Sequence, residues 1–134
     1  MWKKLSEAEP AAFAALRIVS GALFLVHGLQ KLFNWPPGGH PVVLMSQVGL
    51  GGVIELVGGA LIAVGLFTRA AAFIAAGMMA VAYFQFHWKL AFANAAWLPV
   101  VNRGELAVVY CFVFLFIATR GAGIVSIDNA TRRA

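Results

Sequence analysis

An all-α membrane bundle of four antiparallel helices is the fold this sequence predicts, and three observations carry the prediction. Four apolar stretches each approach the ~20 residues that a helix rising ~1.5 Å per residue needs to cross a ~30 Å hydrocarbon core. The chain is 62% hydrophobic and 11% charged, where soluble domains carry about 25% charged residues. Runs such as Ala70 to Phe84 are apolar on every side, unlike a spanning β-strand, whose faces alternate.

The stretches run approximately from Ala11 to Phe33, Gln47 to Phe67, Arg69 to Trp88 and Arg103 to Ala118. The N-terminal Lys3 and Lys4 before an apolar run resemble a signal peptide. No small-residue cleavage pattern follows, and the run ends in polar His27, Gln30 and Lys31, so it reads as a retained helix. Asn34-Trp35-Pro36-Pro37-Gly38-Gly39 stops the first helix, because proline lacks the amide donor and restricts the residue before it. Thr68-Arg69 follows Gly65-Leu66-Phe67 almost without a loop, which predicts a tight antiparallel hairpin between the second and third spans. Asn94 and Pro99 break the third connection, and its Phe92 and Trp97 suit the bilayer interface.

Composition also excludes function classes. A single domain of 134 residues folded in water exposes much of its surface, and there are too few charges here to coat it. An ordinary cytosolic domain, a disordered tail and a nucleic-acid module are excluded, the last despite a net charge of +5. The lone Cys111 excludes an internal disulfide, a CxxC pair and a cysteine-based zinc or iron–sulfur site. Neither a haem attachment pattern nor a flavin fingerprint is present.

Four spans place both termini and the middle hairpin on one side, with Lys3, Lys4, Arg17, Arg69, Arg120, Arg132 and Arg133; the other side has Lys31, Lys89 and Arg103. The excess of Lys and Arg puts the termini in the cytoplasm. Arg17, Arg69 and Arg120 read as anchors at that surface.

Ionisable side chains within spans are costly and normally face the bundle with a partner. Glu55 lies about eight residues inside the second span, roughly 12 Å deep at helical rise. His27 lies at nearly the same depth in the first, and Lys31, four residues on, shares its face. Gly51, Glu55, Gly59 and Ala63 recur at intervals of four, a small-residue stripe that lets backbones approach and carries Glu55 inward. The third span adds Tyr83 and His87 at the same spacing, and Asn102-Arg103-Gly104-Glu105 opens the fourth, with Glu105 favoured by the helix dipole. These groups converge on the outer half of the bundle. A plainer reading stands beside this one: a Glu–His or Glu–Lys pair that pins helix register, His87, Lys89 and Arg103 solvated at the interface with Lys31 snorkelling toward the headgroups, and Glu105 as a helix-start carboxylate. A metal centre from His27, Glu55 and His87 matches by ligand type alone, without a paired ligand signature, and no metal is expected.

With those residues placed, the chain resembles the DoxX family of small four-span membrane proteins over nearly its whole length. The matching segments are Arg17-Ile18 to His27-Gly28 with Lys31-Leu32, Gly51-Gly52 through Glu55 to Gly58-Gly59 and Gly65-Leu66, Asn102-Arg103-Gly104-Glu105, and Gly121 to Ser126-Ile127-Asp128. The resemblance implies a multi-pass protein of the bacterial inner membrane. It also brings in a related DoxD-type subunit of a thiosulfate:quinone oxidoreductase, and members tied to membrane oxidative-stress assemblies. Of the motif positions, His27, Lys31, Glu55, Asn102 and Glu105 are those able to hold a site.

The function expected is a subunit of a membrane redox system that binds a quinone in the outer polar layer. His27 and Glu55 are the expected catalytic pair, with Lys31, Tyr83, His87, Asn102 and Glu105 binding the ligand. Quinone reduction takes up two electrons and two protons, so the site needs donors to the carbonyl oxygens and proton-exchanging side chains. The chain carries no electron source of its own, so a partner protein or small reductant must supply the electrons. Two other classes fit the same residues: a noncatalytic scaffold docking a partner at the outer face, and a small proton-coupled transporter, which would need two copies of the chain to enclose a path.

Overall fold

A computed structural model describes residues 1–39 and 42–132, and within them every regular element is helical. Arg133 of the charge count lies outside the described residues. The elements are α1 (Trp2–Glu7), α2 (Glu9–Phe33), α3 (Gln47–Val64), α4 (Thr68–Ala82) prolonged by a π turn (Tyr83–Trp88), a 3₁₀ turn (Ala93–Ala95), α5 (Pro99–Asn102), α6 (Glu105–Arg120) and α7 (Ile127–Thr131). Three helices, Glu9–Phe33, Gln47–Val64 and Thr68–Trp88, are long and apolar enough to cross a membrane. At 16 residues, α6 is shorter.

Local chemistry sets the boundaries. Asn34 closes α2 in the left-handed conformation (φ 52°), which asparagine tolerates. Ser46 caps α3 by accepting from the Gly49 amide at 3.0 Å. Gly65, at φ 71°, ends α3 short of the predicted Phe67. The predicted fourth span begins two residues late because Arg103 sits at φ 60° and Gly104 breaks the helix.

Long helices that are neighbours run antiparallel. Gly21 of α2 packs on Gly59 and Ala63 of α3, while Gly28 packs on Gly52 and Leu56, so rising numbers in one meet falling numbers in the other. Arg69 at the start of α4 reaches Ala118 to Arg120 at the end of α6, and Phe13 and Phe24 of α2 meet Phe116 and Phe114 of α6. The α2–α3 seam is backbone against backbone: a Cβ built on Gly59 would lie 2.4 Å from the Leu25 nitrogen. The packed stripe on α3 is therefore Gly52–Gly59 rather than one through Gly51, which faces Met78 of α4 instead. Outside this core the helices remain apolar, with Phe73 65% and Phe112 64% exposed, as expected where lipid is the solvent.

The end of the bundle away from Glu55 is stitched by Arg17, Arg69, Arg120 and Asp128. Arg17 is fully buried, not a surface anchor. Its guanidinium donates to the carbonyls of Ile62 and Ala63 at 2.7 Å and to that of Val125. The last carbonyls of a helix lack intrahelical donors, and a five-donor fork is suited to several at once. Arg69 does the same for α6, donating to Ala118, Thr119 and Arg120. Arg120 pairs with Glu9 and lies over the Phe13 ring. Asp128 in α7 reaches back to the α3–α4 hairpin, accepting from the amides of Phe67 and Thr68 at 2.9 Å. Burial opposes ionisation of Asp128, but those amides and the nearby Arg132 outweigh it and hold the carboxyl below its ordinary range.

Candidate functional site

At the opposite end, where α2 and α4 finish and α3 and α6 begin, the structure brings one carboxylate and several cationic or imidazole groups around a cavity of about 220 Å³. Glu55 is 3% exposed, carried inward by the close α2–α3 seam. Its Oε1 accepts from Lys31 Nζ at 2.6 Å. Oε2 is buried and has no hydrogen-bond partner among the described residues. Lys31 reaches this contact from one turn above His27 while its side chain stays 37% exposed, the expected behaviour of a long cation at a membrane edge.

His27 and Glu55 both line the cavity, but the bonded partner of Glu55 is Lys31. The His27 ring instead stands edge-on to Tyr110 at a centroid distance of 6.3 Å. Tyr110 in turn stacks on Phe114 at 5.3 Å, and Phe24 packs against both. These rings floor the cavity and close it toward the bundle centre.

His87 also lines the cavity. Its Nδ1 lies 3.3 Å from the Asn102 carbonyl, which only accepts, so Nδ1 carries the proton. Tyr83 does not join it. A π turn winds less per residue than an α turn, so residues four apart no longer stand in line between Tyr83 and Trp88. The Tyr83 hydroxyl donates to the Trp97 carbonyl and accepts from Asn102 Nδ2. Asn102 also donates to the Ala96 carbonyl and accepts from the Gly104 amide. Tyr83 and Asn102 thus fasten the third connection, and Asn102 bears on the site through His87. Glu105 is exposed and absent from the cavity lining.

Of the seven residues singled out in the sequence, four surround the cavity: His27, Lys31, Glu55 and His87. Phe24, which continues the His27 and Lys31 face inward, and Arg103 of the Asn102–Glu105 segment also line it, and the structure adds Tyr110. Tyr110 had a usable signal, since it shares a helical face with Phe114 and carries a hydroxyl within an apolar run. Among the described residues no three His, Cys, Asp or Glu side chains are grouped as a metal ion would require.

A second hollow adjoins the first. Between α3 and α4 an apolar groove of about 500 Å³ is lined by residues such as Val48, Ile54, Ile74, Met78 and Phe86. Lys31, Met79, Ala82 and His87 border both spaces. A polar chamber and a lateral apolar slot therefore share a wall made of two polar and two apolar side chains.

A family model described as DoxX matches residues 12–88. This chain belongs to the DoxX family. The DoxX match takes in His27, Lys31, Glu55, Tyr83 and His87 and ends before Asn102 and Glu105. A protein of Haemophilus influenzae, described as an uncharacterized protein, is 41% identical over 128 residues, covering 93% of this chain and 94% of the relative. No solved structure matches the chain.

Proposed function

We propose that this DoxX protein is a four-span subunit of a membrane redox system in the bacterial inner membrane and takes the head group of a quinone into the Glu55–Lys31 chamber. The observation that carries the reading is the shared wall between the two hollows. Ligand sites for drug-sized molecules are usually about 300–1,000 Å³, so the 220 Å³ chamber suits a head group alone. The adjoining 500 Å³ groove is apolar and suits an isoprenoid tail arriving from the acyl chains. Lys31 at the boundary supplies donors, His87 lies beside it, and the His27, Phe24 and Tyr110 rings line the far side.

Packing supports α6 as the fourth span. It runs alongside α2 and α4 from Glu105 to Arg120 and so shares their slab, although its 16 residues rise about 24 Å. The Lys and Arg excess at the Arg17–Asp128 end then faces the cytoplasm, and the chamber opens toward the outer leaflet. Electrons come from a partner protein or a small reductant at that face.

The test is to purify the protein in mild detergent, extract it with solvent and identify the quinones released. About one quinone per chain from wild type, falling several-fold in Lys31→Met and His87→Ala with helicity unchanged, supports the reading. Absence of quinone from the extract, together with failure of an added short-tailed quinone to bind, overturns it.

A further inference from the structure

The unused oxygen of Glu55 points to which redox form of the ligand the chamber selects, an inference that rests on the quinone reading above. An ionised carboxylate only accepts hydrogen bonds, and an ammonium only donates them, with three N–H groups. Glu55 Oε1 is occupied by Lys31 at 2.6 Å. Oε2 is buried and has no partner among the described residues, on a residue that is 3% exposed and lines the chamber. Lys31 uses one N–H on Glu55 and borders both chamber and groove.

A ligand atom lodged beside this pair meets an acceptor and a donor together. A quinone carbonyl oxygen can answer only the donor. Placed against the buried Oε2, it brings two acceptors into contact where an unpaired polar atom is costly. A phenolic hydroxyl answers both, giving its proton to Oε2 and taking a hydrogen bond from Lys31. His87 Nδ1 and the Asn102 amide are engaged with the Asn102 and Ala96 carbonyls, and the donors of the lining residues Arg103, Tyr110 and His27 are answered by a carbonyl or a hydroxyl oxygen alike, so they do not reverse the balance.

We infer that Glu55 is a specificity residue that makes the chamber bind the reduced, hydroxyl-bearing quinol more tightly than the oxidised quinone. The preference is one of binding and involves no bond change. Hydrogen bonds to charged groups are the stronger ones, and a preference of about tenfold is expected.

The test is an equilibrium titration of wild-type protein in lipid nanodiscs with a short-tailed benzoquinone and, under argon with excess reductant, with its hydroquinone. Tighter binding of the hydroquinone by tenfold or more supports the inference. In Glu55→Gln the amide offers a donor as well as an acceptor, so the preference should shrink to within about threefold, chiefly through stronger quinone binding. Equal binding of the two forms by wild type, or tighter quinone binding, overturns the inference and leaves the quinone site standing. Binding of neither form overturns the quinone reading itself. An unchanged preference in Glu55→Gln also overturns the assignment to Glu55. The wild-type comparison carries the test should that variant not fold.

Discussion

Two adjacent glycines should respond in opposite directions to the same added methyl group. A Cβ on Gly59 meets the Leu25 nitrogen at 2.4 Å, the Gly21 carbonyl oxygen at 2.7 Å and the Leu25 Cα at 2.8 Å, all backbone atoms that cannot turn aside. Ordinary contact begins near 3.4 Å, so Gly59→Ala must push α2 and α3 apart by about 1 Å. A gap of about 0.5–1 Å already forfeits a quarter to a half of each contact's attraction, and overpacking typically costs about 1–3 kcal/mol. A Cβ on Gly58 meets nothing within 4 Å. There the gain of about 0.5–1 kcal/mol for alanine over glycine within a helix stands unopposed. The two variants should thus differ by about 2 kcal/mol or more, with Gly58→Ala at or above wild type. Reversible unfolding in mixed micelles, or steric trapping in bicelles, measures this. Equal stabilities for the two would refute the backbone-contact argument, as would a Gly59→Ala protein as stable as wild type. Parting the seam also moves Lys31 relative to Glu55, so Gly59→Ala should weaken quinone binding while Gly58→Ala leaves it unchanged.

Three further outcomes follow from the geometry. Arg17→Ala strands the carbonyls of Ala63 and Val125 and should cost about 3 kcal/mol, with the segment after Gly121 becoming protease-sensitive; a variant that resists proteolysis like wild type would contradict the clamp. Lys31→Met should destabilise by roughly 2 kcal/mol, below the about 3–5 kcal/mol of a fully buried pair because Lys31 is 37% exposed. Adding Glu55→Leu should recover most of that loss while quinone binding stays lost, and failure of the double variant to recover would argue against a simple pair. Asp128 titrates below its ordinary range, so its contribution is present above the unfolded carboxylate pKa and fades as pH falls through the lower folded value. Asp128→Asn should accordingly be less stable than wild type at neutral pH, with the gap closing under acid; a constant gap would exclude the charge as its origin.

Helices and their partners were readable because membrane burial imposes a simple rule on composition. Long apolar runs, a Pro-Pro-Gly-Gly break and a loop too short for anything except a hairpin left few arrangements. That Glu55 needs a cationic or imidazole neighbour was readable for a similar reason, since a lone carboxylate at depth needs a partner within reach; whether His27 or Lys31 bonds to it was not. The pairing of His27 was not readable. Helical spacing places a ring at a depth and on a face, but does not say whether the closer neighbour is a carboxylate or the edge of Tyr110. Tyr83 and His87 were grouped through α-helical spacing, which the π turn invalidates, and no local sequence signal announces that turn.

Sequence by itself determined the all-helical class, the apolar solvent and the charge that needed a partner, because those depend on residue type and on distance along a helix axis. Only the tertiary structure decided which side chains share a wall. Arg17 illustrates the difference: near the end of a span its charge predicts the membrane surface, yet four carbonyls from two distant segments converge on it and make burial the cheaper state. Such convergence arises from how helix ends meet in space, and no spacing along the chain encodes it.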